Sequence, residues 1–146
     1  HGYMPIVLKA VSMQDYTAWV DEKKIAQAAS KNTSNIVLNM EELMTKGEAV
    51  YKAQCLVCHQ ANGEGLKGAF PSIVGSPVAV DAGNRMRHNQ QIIYGKGLMP
   101  AFGEQLSDVD IASVVSFTRN AWGNSTGDIV QAKEVAEARK APKVIK

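Results

Sequence analysis

Apolar positions along the chain change their period from one end to the other. Met4-Pro5-Ile6-Val7-Leu8, followed by Ala10 and Val11, is a short continuous apolar run and predicts a buried strand. Ser12 then sits where an N-cap belongs, ahead of a short helix presenting Tyr16, Trp19 and Val20 at i, i+3, i+4 spacing. Residues 21–35 are polar and poor in large apolar groups, which predicts a linker, partly helical.

A second unit begins near Thr45. Thr45-Lys46-Gly47-Glu48 has the capping-box pattern, and the helix it opens runs into Cys55-Leu56-Val57-Cys58-His59. Gly63, Gly65 and Gly68 break regular structure, and residues 69–84 read as a loop carrying Phe70-Pro71 and Ser76-Pro77. A helix over Arg87–Tyr94 stops at Gly95, and Gly97-Leu98-Met99-Pro100 follows as loop. The clearest helix comes last. Ser107 is its N-cap, Asp108 and Asp110 fall in its first turn, and Leu106 can staple to Ile111. Ile111, Val114, Val115, Thr118 and Trp122 form its apolar stripe, Arg119 sits at the end the macrodipole favours, and Gly123 closes it. Residues 125–146 read as a lysine- and alanine-rich helix or a frayed tail. The predicted fold class is mainly α after the initial strand.

Composition narrows the function classes. With 146 residues, 45% of them hydrophobic, the chain suits one compact domain plus extensions. A net charge of +2 gives no electrostatic case for nucleic-acid binding. Five basic and three acidic side chains lie in residues 125–146, so the basic excess is largely C-terminal. No run approaches the ~18 consecutive apolar residues that a membrane span requires. The first residue is His1 rather than Met, as expected of a processed or excised polypeptide.

The chemistry sits in Cys55-x-x-Cys58-His59, the spacing of c-type haem attachment. At about 100° per residue, positions i, i+3 and i+4 share one helix face. Two thiols so placed can form thioethers to the two porphyrin vinyl groups, and the adjacent histidine reaches the iron from below. A zinc site would need further ligands, and only His1 and His88 remain. A thioredoxin-like dithiol expects a βαβ setting, which the helical surroundings lack. An electron carrier fills both axial positions. Of Met4, Met13, Met40, Met44, Met86 and Met99, the last is the candidate sixth ligand: it lies forty residues beyond His59, in a Gly-rich loop before Pro100. Met86 reads as core filling and His88 as a surface residue.

Together these residues resemble the class I cytochrome c family over about residues 45–124. The carriers are the helix with Gly47 and Tyr51 leading into the haem motif, Phe70-Pro71-x-Ile73-x-Gly75, the Gly-x-Gly-Leu-Met-Pro loop and the aromatic final helix. The resemblance implies one covalent haem c, with Cys55, Cys58, His59 and Met99 as its binding residues. It implies that Gly47 lets its helix cross the last one near Phe117. It also implies that the carbonyl of Pro71 orients His59; a simple turn is the other reading of that proline.

The N-terminal stretch is similar to the last copper-ligand segment of cytochrome c oxidase subunit II, on His1-Gly2-Tyr3-Met4-Pro5-Ile6. Residues 115–124 are similar to the cytochrome c domain fused to that subunit in some bacterial oxidases. This resemblance implies His1 and Met4 as copper-ligand remnants. No cysteine remains to bridge a binuclear centre, so copper is not expected in these residues. The other reading of the segment is an unrelated apolar strand. The implied organisation is a β-rich copper-domain remnant over 1–20, a linker over 21–44, a cytochrome c domain over 45–124 and a tail over 125–146. The implied partners are the rest of subunit II, the catalytic oxidase subunits, and a donor cytochrome or quinol-oxidising complex. The implied location is the periplasm or outer face of the cell membrane. A free-standing cytochrome c carrier is the alternative, and a haem enzyme or gas sensor with an open sixth site belongs to a third class. Lys67 and Lys96 near the haem edge are candidates for steering an acidic partner. Arg85 and Arg87 are candidates for approaching a haem propionate.

Overall fold

The computed structural model describes residues 8–31 and 33–145. The chain divides into two units, His1–Ser30 and Lys31–Lys146. In the first, helix α1 covers Met13–Lys31. Ser12 caps it as expected: its Oγ accepts from the Asp15 amide at 3.1 Å and donates to the Asp15 carboxylate at 2.8 Å. The helix runs well beyond the short element the sequence suggests, through much of the stretch read as a linker. Met13, Tyr16 and Trp19 on it are exposed. The expected buried strand does not form in its described part. Residues 8–11 are irregular and exposed, Leu8 at 92%. A strand needs a partner to pair its amides, and no strand is present among the described residues. His1 and Met4 lie outside the described residues.

The second unit is built on α2 (Met40–Gln54), the one-turn α3 (Leu56–His59), α4 (Pro77–Val80), α5 (Arg85–Tyr94), α6 (Asp108–Asn120) and α7 (Ala132–Lys140). Helix α2 starts at Asn39, not at Thr45. The Asn39 side chain accepts from the Glu42 amide at 3.0 Å, and Glu42 accepts from the Asn39 amide at 2.8 Å. The earlier start brings Leu43 onto the face that also buries Gly47 and Tyr51, at i, i+4, i+8. That face crosses α6 as expected. A Cβ on Gly47 would stand 2.6 Å from the Phe117 Cβ, so the two backbones touch only because residue 47 is glycine.

Every residue of helix α6 from Asp108 to Arg119 except Asp110 is buried, and the helix forms the axis of the unit. Ser107 caps it as predicted, and Asp110 completes a capping box with it. Leu106 and Ile111 both lie in the core. Arg119 does not sit at a solvated helix end. It is fully buried, paired with Asp128 at 2.5 Å and donating to the carbonyls of Val78 at 3.2 Å and Asp81 at 2.9 Å. The helix ends at Asn120 rather than running to Gly123. Asn120 ties the chain back to the Ser116 and Asp128 carbonyls, and Trp122 turns inward with φ of 57°. Trp122 then packs at a tilt against Tyr51 and edge-on against Phe117, at ring separations of 4.7 and 5.1 Å.

The C-terminal segment is a docked helix, not a frayed tail. Val130, Ala132, Val135 and Ala138 are buried, and the Ser116 hydroxyl exchanges hydrogen bonds with both backbone groups of Val130.

Candidate functional site

The Cys55–His59 segment is set by a break in the helix that carries it. Cys55 closes α2 by donating its amide to the Tyr51 carbonyl, then starts α3 by accepting from the amides of Cys58 at 3.2 Å and His59 at 2.9 Å. The one-turn α3 stops at Gln60, which takes φ of 61°. Tyr51 holds that turn: its hydroxyl donates to the Gln60 carbonyl at 2.6 Å. Burial, with the nearby Cys55 charge adding to it, pushes the Tyr51 phenol up to about 12, so it stays a donor.

The loop after α3 folds back onto the histidine. The Gly65 amide donates to the His59 carbonyl at 3.0 Å, and Leu66 and Phe70 close a tight turn. A Cβ on Gly65 would lie 2.6 Å from the Pro71 carbonyl oxygen, and its φ is 68°. Glycine therefore lets the Phe70-Pro71 backbone lie against the loop that follows α3. The result is a hydrogen bond of 3.0 Å between His59 Nδ1 and the Pro71 carbonyl. A carbonyl only accepts, so Nδ1 carries the proton and Nε2 is left with its lone pair.

Across from this wall lies the loop after α5. Gly95 caps α5 with φ of 72°, and Lys96 and Met99 exchange backbone hydrogen bonds of 3.1 and 3.0 Å. The Gln91 amide nitrogen comes to 4.0 Å from the Met99 sulfur. Between the walls is a mainly apolar cleft of about 360 Å³. Cys55, Cys58, His59, Pro71, Met99 and Phe102 all line it. A second cavity of about 270 Å³ shares Cys55, His59, Pro71 and Met99 and extends inward to Arg87 and His88.

The expected residues thus converge on one cleft, while others fall elsewhere. Met86 is exposed, not core, because α5 turns His88, Ile92 and Ile93 inward instead. His88 is correspondingly buried, not on the surface, at 7% exposure. Burial, with the charges of Arg119 and His59 adding to it, pushes its imidazole down to about 3. Its Nδ1, like Nε of Arg87, has no hydrogen-bond partner among the described residues. The inward face of His88 escapes the sequence because its neighbours Asn89 and Gln90 are polar yet also buried. Arg85 is engaged elsewhere, paired with Glu134 and facing Asp128 at 3.9 Å. Lys67 and Lys96 are exposed, and Lys96 lines the cleft.

This donor set suits a covalent haem. Two free thiols and an imidazole with an available Nε2 lie on one wall, and a thioether sulfur lies on the cleft's other wall. It suits a redox dithiol poorly: burial, with the Cys58 charge, pushes the Cys55 thiol up to about 11, away from the reactive thiolate. For zinc, no group of three or more His, Cys, Asp or Glu among the described residues is placed to hold a metal ion. No helix among them is long and apolar enough to cross a membrane.

Comparison with known proteins agrees with the geometry. The family described as cytochrome c oxidase, cbb3-type, subunit III matches residues 42–117. Cytochrome c-552 of Thermus thermophilus is 34% identical over 93 residues, covering 54% of this chain and 70% of its own length. The cytochrome c subunit of the alcohol dehydrogenase (quinone) of Gluconobacter oxydans is 30% identical over 128 residues, 80% of this chain and 26% of that subunit. The cbb3-type cytochrome c oxidase subunit FixP of Azorhizobium caulinodans is 31% identical over 134 residues, 80% of this chain and 45% of that subunit. The chain thus spans about a quarter of the length of the alcohol dehydrogenase subunits it matches. A helical unit closed around a C-x-x-C-H cleft, matched over its central residues by this profile, belongs to the cytochrome c family of cbb3-type domains, whose members carry covalent haem c.

Proposed function

We propose that this chain moves single electrons through one haem c, which Cys55 and Cys58 would hold by thioethers and whose iron His59 and Met99 would ligate. The carrying observation is the cleft itself, which brings those four side chains to one apolar space. The bound iron supplies a one-electron couple. The chain's residues do the rest. Pro71 fixes the tautomer of His59, so Nε2 is presented as a ligand. Met99 would offer its thioether as the second protein ligand, leaving no place for oxygen or peroxide, which favours transfer over bond chemistry. The protein performs no catalysis on its own.

In the finer reading, the chain is the cytochrome c module at the end of a terminal oxidase subunit II. It passes electrons towards the copper centre of that subunit, on the periplasmic or outer side of the membrane. The support is the subunit-II-like His1–Ile6 segment and residues 115–124. The haem module is placed at 45–124, with 1–20 as the copper-domain remnant, 21–44 as linker and 125–146 following. A second reading, a cytochrome module serving a dehydrogenase, is favoured by the named dehydrogenase subunits among its relatives. Haem-staining the native polypeptide, with its mass and copper content, separates them. A stained chain much heavier than 15.7 kDa and carrying copper supports the oxidase subunit. A stained chain without copper, copurifying with a dehydrogenase, supports the other; a stained chain near this mass plus one haem is a free-standing carrier.

A further inference from the structure

We propose that Arg139, forty residues beyond Met99, is a positioning residue for the sixth ligand. This inference rests on Met99 being that ligand. The Met99 loop leaves α5 at Gly95 and must return to α6 at Ser107. Its return is pinned at Phe102 and Gly103, whose amides donate to the Ile92 and Ile93 carbonyls of α5 at 3.0 Å each. The other side of the same segment is held by one guanidinium. Arg139 Nη1 donates to the Gly103 carbonyl at 2.7 Å and Nη2 to the Leu106 carbonyl at 3.0 Å. Its Nε donates to the Asp108 carboxylate at 2.7 Å, at the first residue of α6.

Gly103 is therefore clasped on both faces. A Cβ there would lie 2.8 Å from the Ile93 carbonyl oxygen and 3.1 Å from Arg139 Nη1. Phe102, next to it, lines the cleft with Met99. A swing of the loop that carries this segment along breaks charge-assisted bonds, roughly twice as strong as neutral ones. The clasp is also anchored. The Tyr94 hydroxyl donates to the Arg139 carbonyl at 2.9 Å, and the Gln90 amide donates to Ala138 at 3.2 Å and Pro142 at 3.0 Å. Helix α7 is thus fastened to the helix that launches the loop. A thioether competes with any small ligand that reaches the iron, so its occupancy depends on how rarely the loop opens.

The test uses the haem-loaded chain and reads two signals: the sulfur-to-ferric-iron charge-transfer absorption and the rate of imidazole binding to the ferric form. In Arg139→Gln the binding rate should rise about tenfold or more, as the loop loses its charged clasp and opens more often. The absorption should fade on warming before the helices melt. Arg139→Lys keeps the charge without the fork and should fall between. Arg85→Gln removes another α7 ion pair, with Glu134, without touching the loop. It should leave the rate within about twofold of wild type. Wild-type rates in Arg139→Gln, or equal opening in Arg85→Gln, overturn the proposal. If Arg139→Gln does not accumulate, the same comparison with Arg139→Lys decides it. Met99→Ala separates the two claims. Loss of the absorption there, with unaltered Arg139 variants, removes only the clasp. An unchanged absorption in Met99→Ala removes the ligand assignment and the clasp with it.

Discussion

His59 donates through Nδ1 to the carbonyl oxygen of Pro71 at 3.0 Å, and Gly65 is what lets that carbonyl come so close. The bond joins an imidazole on the haem-motif turn to a loop twelve residues on. It leaves Nε2 as the free nitrogen, and it does so through backbone geometry that no side chain supplies.

Gly65→Ala tests this relationship. The new methyl group would press on the Phe70 and Pro71 carbonyls at a backbone angle that favours glycine. The expected cost is about 1–3 kcal/mol of stability, from overpacking and left-handed strain together. The His59 Nδ1 proton should also exchange faster, visible by NMR of the reduced protein. An unchanged proton signal would show that the loop does not orient the ring.

Gly47→Ala probes the crossing of α2 with α6. The added Cβ would overlap the Ser113 carbonyl and the Phe117 Cβ, both parts of a rigid helix. Forcing the helices apart should destabilise the protein by about 1–3 kcal/mol, measured by denaturant unfolding. A loss below about 0.5 kcal/mol, within the range of neutral surface changes, would mean the crossing relaxes freely.

Asp128→Ala would strip Arg119 of its counter-charge inside the fold. Arg119 has no exposed side-chain surface, whereas Asp128 keeps 19%. Removing one partner of such a pair costs about 3–5 kcal/mol, here towards the low end because two carbonyls still accept from Arg119. Arg119→Met should cost less, since it removes the buried charge itself. The opposite order in unfolding experiments would contradict the assignment of Arg119 as a buried, paired cation.

His88 gives the fold an acid-sensitive term. Its folded pKa is pushed down to about 3 from an unfolded value of 6.5, by burial first and the charges of Arg119 and His59 after it. Below pH 6.5 the unfolded chain binds this proton and the folded chain does not, so stability falls as pH drops towards 3. Between pH 7 and 5 that amounts to about 2 kcal/mol. His88→Gln should remove this part of the slope in paired pH titrations of stability. Parallel slopes for the two proteins would place His88 in contact with water or with an acceptor.

Local chemistry made part of this protein legible from its residues. Ser107 and Gly95 act at the helix ends where the sequence puts them, because capping is decided within one turn. Cys55, His59, Pro71 and Met99 meet at one cleft as their motifs imply. Where the outcome depends on distant partners, the pattern was insufficient. Thr45-x-x-Glu48 reads as a capping box, yet the helix starts from the Asn39-Glu42 box, and that earlier start buries Leu43. Trp122 leaves its helical stripe to cover Gly63 and pack against Tyr51. Residues 125–146 read as a helix or a frayed tail, and the choice falls to a docked helix because its Arg139 pairs with Asp108 of α6 and its Glu134 with Arg85 of α5. His88 points inward for the same kind of reason.

The most direct measurement is the mass and pyridine haemochrome spectrum of the chain, expressed in a host that attaches haem c, beside Cys55→Ala and Cys58→Ala. One haem should stay with the denatured polypeptide, with both vinyl groups saturated. Each single variant should hold its haem through one thioether and show a shifted haemochrome band. A wild-type chain that yields no covalent haem in that host, or one whose haem survives loss of both cysteines, would contradict this attachment.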